Sequence, residues 1–94
     1  MAKRTRADEA AWSAYASELA VNLHRIRLER GLSQEDVAYA AGLTRYTYQK
    51  YEKGESKPGT PANPTLRTLL ALCQALEVTL VEVLPTKTPD LRLR

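Results

Sequence analysis

Arg45, Tyr46, Gln49, Lys50 and Lys53 are separated by steps of one, three and four residues. At about 100° per residue they share one side of a helix. Thr47, Tyr48, Tyr51 and Glu52 fall on the other side. The first side carries three cations, an amide and a phenol, and no acid. Its chemistry is non-covalent. Arginine and lysine donate to guanine edges or to phosphate, glutamine pairs with adenine, and tyrosine touches phosphate or a thymine methyl. A row of lysines is ordinarily a solvated helix face and nothing more. The row points to nucleic acid only through the elements that present it.

Those elements are two short helices meeting at a glycine. Ser33 has the side chain of an N-cap, with Asp36 three residues on to complete a capping box, and Leu32 and Val37 have the spacing of a hydrophobic staple. The first helix runs on through Val37, Ala38 and Ala41. Gly42 ends it, because a left-handed residue is wanted just past a helix end and glycine has no Cβ to clash there. Leu43 and Thr44 repeat the start signal, with Tyr48 as the staple partner of Leu43. The short Ala38, Ala40 and Ala41 let the two helices approach closely. Such a pair, with a basic outer face on its second member, is how a helix-turn-helix sets side chains into the DNA major groove.

The flanking segments predict an all-α fold. From Asp8 to Arg30 the residues Trp12, Tyr15, Leu19, Leu23 and Ile26 form one apolar stripe. As a single helix this segment spans roughly 35 Å, with Ala16 to Glu18 as the place for any break. Asn63 and Pro64 read as an N-cap and a first-turn proline. Leu66, Leu69, Leu70, Cys73 and Leu76 then recur with helical period, as a core face. Thr79 and Glu82 form another capping box, flanked by the staple pair Val78 and Val83, and open a short fifth helix that ends near Leu84, before Pro85. Residues 54–63, rich in turn formers, read as a loop. The tail from Pro85 is polar and proline-broken, and its first half is expected to be mobile. Leu91 and Leu93 alternate with Arg92 and Arg94 in a weak strand-like pattern; a frayed end is the simpler reading.

Ninety-four residues make one small domain with a modest core. The net charge of +3 is compatible with nucleic acid. The basic residues Lys3, Arg4 and Arg6 stand where they can touch phosphates, although most such ends are merely solvated. One cysteine excludes an intramolecular disulfide and a multi-cysteine zinc site, and Cys73 reads as a small core residue. No apolar run follows the basic start, and none is long enough to span a membrane; a soluble cytoplasmic protein is the expectation. Enzyme chemistry is not indicated. His24 is the only histidine and reads as a surface or capping residue, without a nucleophile and third member to form a triad. There is no phosphate-cradling glycine loop, and no cofactor is implied.

From about Leu19 to Leu84 the chain resembles the phage-repressor/Cro-like helix-turn-helix (XRE) family. The matching stretches are residues 23–34, 41–44, 51–54 and 64–80. The resemblance implies a compact five-helix, lambda-repressor-like domain, here with an extended first helix. It also implies a dimer on a two-fold symmetric DNA operator. Residues 1–18 are then a basic segment and helical extension, residues 19–84 the domain, and residues 85–94 a tail. Gln34 is expected to contact a phosphate and brace the second motif helix. Arg45, Tyr46, Thr47 and Lys50 occupy positions that face bases or the adjoining backbone, and Gln49 shares their face. With Thr44, Lys53 and Lys57 these make up the expected DNA-binding set. Arg27 and Glu52 match a pair that forms an internal salt bridge. Three features depart from the family: Tyr48 stands where a β-branched residue or leucine is common, Glu77 replaces a glycine, and the loop after Gly54 is longer. The implied function is a sequence-specific transcriptional regulator, a dimeric repressor that inserts the helix from Thr44 to Lys53 into the major groove. The alternative is an antitoxin-like module with a protein partner, for which the segment around Trp12 and the tail are the candidate surfaces. Control of a restriction system is a further small-regulator role.

Overall fold

The structure, a computed structural model, describes residues 5–92. Five helices follow in order: α1 (Arg6–Glu29), α2 (Gln34–Ala40), α3 (Arg45–Lys53), α4 (Leu66–Leu76) and α5 (Leu80–Val83). A feature outside the all-α expectation lies between α3 and α4. There the expected loop is an antiparallel hairpin of β1 (Glu55–Lys57) and β2 (Thr60–Pro61), joined across Pro58 and Gly59. The Glu55 carboxylate accepts the Gly59 N–H at 2.9 Å, and the Ala62 N–H donates to the Gly54 carbonyl at 2.9 Å. These two bonds close the tip and the base of a ribbon too short to be stable alone.

α1 is one unbroken helix. It begins before the apolar stripe because Thr5 and Asp8 form a capping box that the stripe does not reveal. Its buried side is Ala16, Leu19, Ala20, Leu23, Ile26 and Arg27. Trp12 and Tyr15 are half-buried and stack on each other, with ring centroids 5.6 Å apart. The core gathers Leu19, Leu23 and Ile26 of α1, Val37 and Ala38 of α2, Tyr48 of α3, Leu72, Cys73 and Leu76 of α4, and Val83 of α5.

Two expectations for α4 change. The cap is Thr65, whose hydroxyl accepts the Thr68 N–H at 3.1 Å, and not Asn63. Of the expected face, Leu69, Cys73 and Leu76 pack inward and are joined by Leu72, whereas Leu66, 65% exposed, and Leu70 point outward. Leu70 and Leu72 lie on either edge of that face, so helical spacing does not choose between them. Ala40 is likewise exposed, and only Ala38 and Ala41 of the three alanines line the α2–α3 approach. Glu77 performs the turn expected of glycine, with φ of 58°, and Arg30 braces it by donating to the Glu77 carbonyl at 3.1 Å. The Thr79–Glu82 box caps α5, and Asn22 ties that helix to α1 by donating to the Val83 carbonyl at 2.9 Å. Residues 85–92 form no helix or strand, and Leu91 lies at a cleft with Trp12 and Asn63. Lys3, Arg4, Leu93 and Arg94 lie outside the described residues. Among the described residues no helix is long and apolar enough to cross a membrane.

Gly42 and Gly54 both take left-handed backbone, with φ of 73° and 81°. They differ in surroundings. A Cβ on Gly42 meets nothing within 4 Å, whereas one on Gly54 lies 3.3 Å from the Ser17 Cα in α1. We therefore expect Gly42→Ala to cost about 1–2 kcal/mol, the left-handed penalty alone, and Gly54→Ala to cost distinctly more. Chemical denaturation of both variants measures this; equal losses would contradict the close approach of the hairpin to α1.

Candidate nucleic-acid interface

The turn between α2 and α3 closes as the sequence predicts. The Leu43 N–H donates to the Ala38 carbonyl at 2.8 Å, and the Gly42 N–H to the Tyr39 carbonyl at 3.1 Å. Both bonds satisfy carbonyls that the end of α2 would otherwise leave open. Ser33 and Asp36 cap α2 reciprocally. Thr44 starts α3 by accepting the Thr47 N–H at 3.0 Å.

α3 then divides sharply. Tyr48 is 0% exposed and sits in the core, and Tyr51 packs beside it. The core thus takes in the whole Tyr48 ring. On the opposite side Arg45, Tyr46 and Lys53 are exposed, and Gln49 and Lys50 are half-buried. Lys50 Nζ stands 4.5 Å from the centroid of the Tyr46 ring, a cation–π contact that limits where the ammonium can go.

The expected residues do not all converge. Tyr46, Gln49, Lys50, Lys53 and Lys57 surround one cleft between α3 and the hairpin. Arg45 opens the other way, onto a cleft it shares with Glu35, Asp36 and Tyr39. Thr47 is turned toward Thr44, accepting its hydroxyl at 2.9 Å. Gln34 joins the row through Gln49, whose Nε2 donates to the Gln34 Oε1 at 3.2 Å.

Behind the row lies a polar hub. Arg27 Nε donates to Glu52 Oε2 at 2.6 Å and its NH2 to Oε1 at 3.0 Å, while NH1 donates to the Leu32 carbonyl at 2.9 Å. Both side chains are about nine-tenths buried or more. His24 Nδ1 lies 2.7 Å from Glu52 Oε1, and Gln34 Nε2 donates to the same oxygen at 3.4 Å. A carboxylate only accepts, so this contact requires the hydrogen of His24 on Nδ1. His24 is therefore a surface histidine, as expected, whose Nδ1 edge joins the hub. Its position one helical turn before Arg27 carried that signal, since residues three apart on a helix are neighbours. Burial pushes the Glu52 carboxyl up, but hydrogen bonding from Arg27 first, with His24 and Gln34 beside it, prevails and holds it at about 2, down from an ordinary 4.5. The Tyr48 hydroxyl lies near this pair without hydrogen-bond geometry to it, and burial raises its ionisation well above the usual range.

Comparison with known proteins agrees with this geometry. A family described as a helix-turn-helix domain matches residues 18–84, more than two-thirds of the chain. The chain belongs to that family. Among solved structures it is similar to the restriction-modification controller protein C.AhdI from Aeromonas hydrophila. That match has 30% identity and a TM-score of 0.66, spanning 74% of this chain and 97% of the controller. It is also similar to a single-residue variant of the restriction-modification controller protein C.Esp1396I, with 33% identity and a TM-score of 0.61, spanning 71% of this chain and 79% of the other. No curated protein sequence matches. The helix-turn-helix protein described here is thus a DNA-binding regulator whose second motif helix presents the basic row.

The hub yields a pH prediction. The folded-state carboxyl of Glu52 is depressed, so the stability it contributes is present above pH 4.5 and is lost as the pH falls toward 2. The cap carboxylates Asp36 and Glu82 are shifted the same way by hydrogen bonds from Ser33 and Thr79. We expect Glu52→Gln to flatten part of this acid dependence. At neutral pH it should lose roughly 3–5 kcal/mol, the cost of leaving Arg27 buried without its partner. An acid-unfolding profile parallel to that of the unaltered protein would remove Glu52 from this role.

Proposed function

We propose that the protein is a sequence-specific transcriptional controller that binds a two-fold symmetric operator as a homodimer, with α3 in the major groove. The observation that carries this reading is the two-sided α3. Its cationic row faces solvent while Tyr48 and Glu52 lock its back into the domain. In this reading Arg45, Tyr46, Thr47, Gln49 and Lys50 face bases or the adjoining backbone, and Gln34, Thr44, Lys53 and Lys57 meet phosphates. Dimerisation places two such helices about 34 Å apart, one turn of DNA. The likeness to two restriction-modification controllers supports a role in controlling a restriction system, here read as repression at the operator. Such a protein works beside its DNA in the cytoplasm.

The reading involves no reaction chemistry. His24 is engaged with Glu52, and burial pushes the thiol of Cys73 up, away from the reactive thiolate. α3 supplies donors, and donors recognise without transforming.

Selection of bound sequences from a random duplex pool tests this directly. A palindromic consensus is expected, with affinity falling steeply as salt rises. Arg45→Ala should flatten the preference at one position of each half-site, at a cost of about 1–3 kcal/mol, with the melting temperature unchanged. Lys53→Ala should weaken all sequences alike and lower the salt slope by about one. No enrichment over random DNA, or salt-independent binding, would refute the reading.

A further inference from the structure

Two parts of this chain, one preceding the family match and one following α3, are packed on each other. One is the first half of α1, residues 6–17, which precedes the family match at residue 18. The other is the hairpin that replaces the expected loop. They meet where Gly54 leaves α3 and passes against Ala16 and Ser17, so closely that a Cβ there would lie 3.3 Å from the Ser17 Cα. Ala16, Ala20 and Ala62 are all buried in this neighbourhood, and α1 packs against β2. The base of the hairpin is therefore pinned by α1.

Its arm forms the far wall of the cleft beside α3. This cleft, about 150 Å³, is lined by Tyr46, Lys50, Lys53, Glu55, Ser56 and Lys57 among others. It is well below the roughly 300 Å³ typical of small-molecule pockets, a size suited to one tetrahedral oxyanion. Three lysines face one carboxylate, and that carboxylate already accepts the Gly59 N–H. Ammonium groups gathered at short range repel one another, and an anion among them relieves the repulsion. The Tyr46 ring holds Lys50 near the cleft.

We propose that this cleft seats a single DNA backbone phosphate in each half-site, and that Ala16 and Ser17 are positioning residues that hold the hairpin so that Lys57 stands opposite Lys53 to form it. The inference rests on the DNA-binding reading above. It adds a specific phosphate and gives the helical extension a role in holding the contact.

The experiment replaces each phosphate of the selected operator, one at a time, with an uncharged methylphosphonate and measures affinity by fluorescence anisotropy. The unaltered protein should lose about tenfold at one phosphate per half-site, the worth of one charge-assisted hydrogen bond. Lys57→Ala should lose a similar factor on intact DNA, become indifferent to that one replacement, and keep the same selected sequence. Ala16→Leu, or the milder Ala16→Val if leucine lowers helicity, should displace the hairpin and reproduce this pattern although residue 16 is remote from the cleft. Lys57→Ala remaining sensitive at every phosphate would overturn the seat. An Ala16 variant that is folded and retains full sensitivity would overturn the brace. Inorganic phosphate competing beyond chloride at matched ionic strength, with no sensitive operator phosphate, would identify a free-anion site and overturn the DNA assignment. Failure to prefer any DNA sequence would instead strike the underlying reading.

Discussion

The buried pair of Arg27 and Glu52 sets the geometry on which the rest depends. It joins α1 to α3 through two charge-assisted hydrogen bonds, and Arg27 also donates to the Leu32 carbonyl in the turn between α1 and α2. A buried ion pair is poor evidence for extra stability, because desolvation offsets much of the attraction. Its effect is directional. Glu52 lies on the inner side of α3, so holding its carboxylate fixes the rotation of that helix about its own axis. The outward position of Arg45, Tyr46, Gln49, Lys50 and Lys53 follows from that rotation. His24 and Gln34 use the same carboxylate, and Gln34 passes the constraint on to Gln49.

Apolar packing provides the second constraint on α3. Tyr48 fills the centre of the domain between the leucines of α1 and α4, and Gly42 lets α2 turn into α3 without an intervening loop. One side of a nine-residue helix is thus held by a ring and a carboxylate, and its other side is free to carry cations. The separation matters because cations placed on a helix face are otherwise only solvated. Here they are presented on a backbone that cannot roll away from a ligand. The hairpin extends the same logic beyond the helix, since its base rests on α1 and its lysine faces the row.

Much of this is legible in the residues themselves. Ser33 with Asp36, Thr44, and Thr79 with Glu82 each mark a helix start, and Gly42 marks the stop between the motif helices; all four behave as read. Each signal acts within about one helical turn, where backbone groups and a nearby side chain satisfy one another. The salt bridge of Arg27 with Glu52 comes from the family resemblance and not from spacing, for the two residues are far apart in sequence.

The chain alone therefore determined where α2, α3 and α5 begin, where α2 stops, and which residues form the basic row, because capping and period are local. Only the tertiary structure decided that Leu72 of α4 faces inward while Leu66 and Leu70 face outward, because both edges fit the helical period and the choice depends on what α2 and α5 offer across the core. It also decided that residues 54–63 pair as a hairpin, since their turn-rich composition suits a loop equally well until α1 supplies a surface to rest on. The division of the row is its work too. Arg45 shares a cleft with Glu35 and Asp36 while the lysines share another, a separation set by how α2 and the hairpin flank α3 in space.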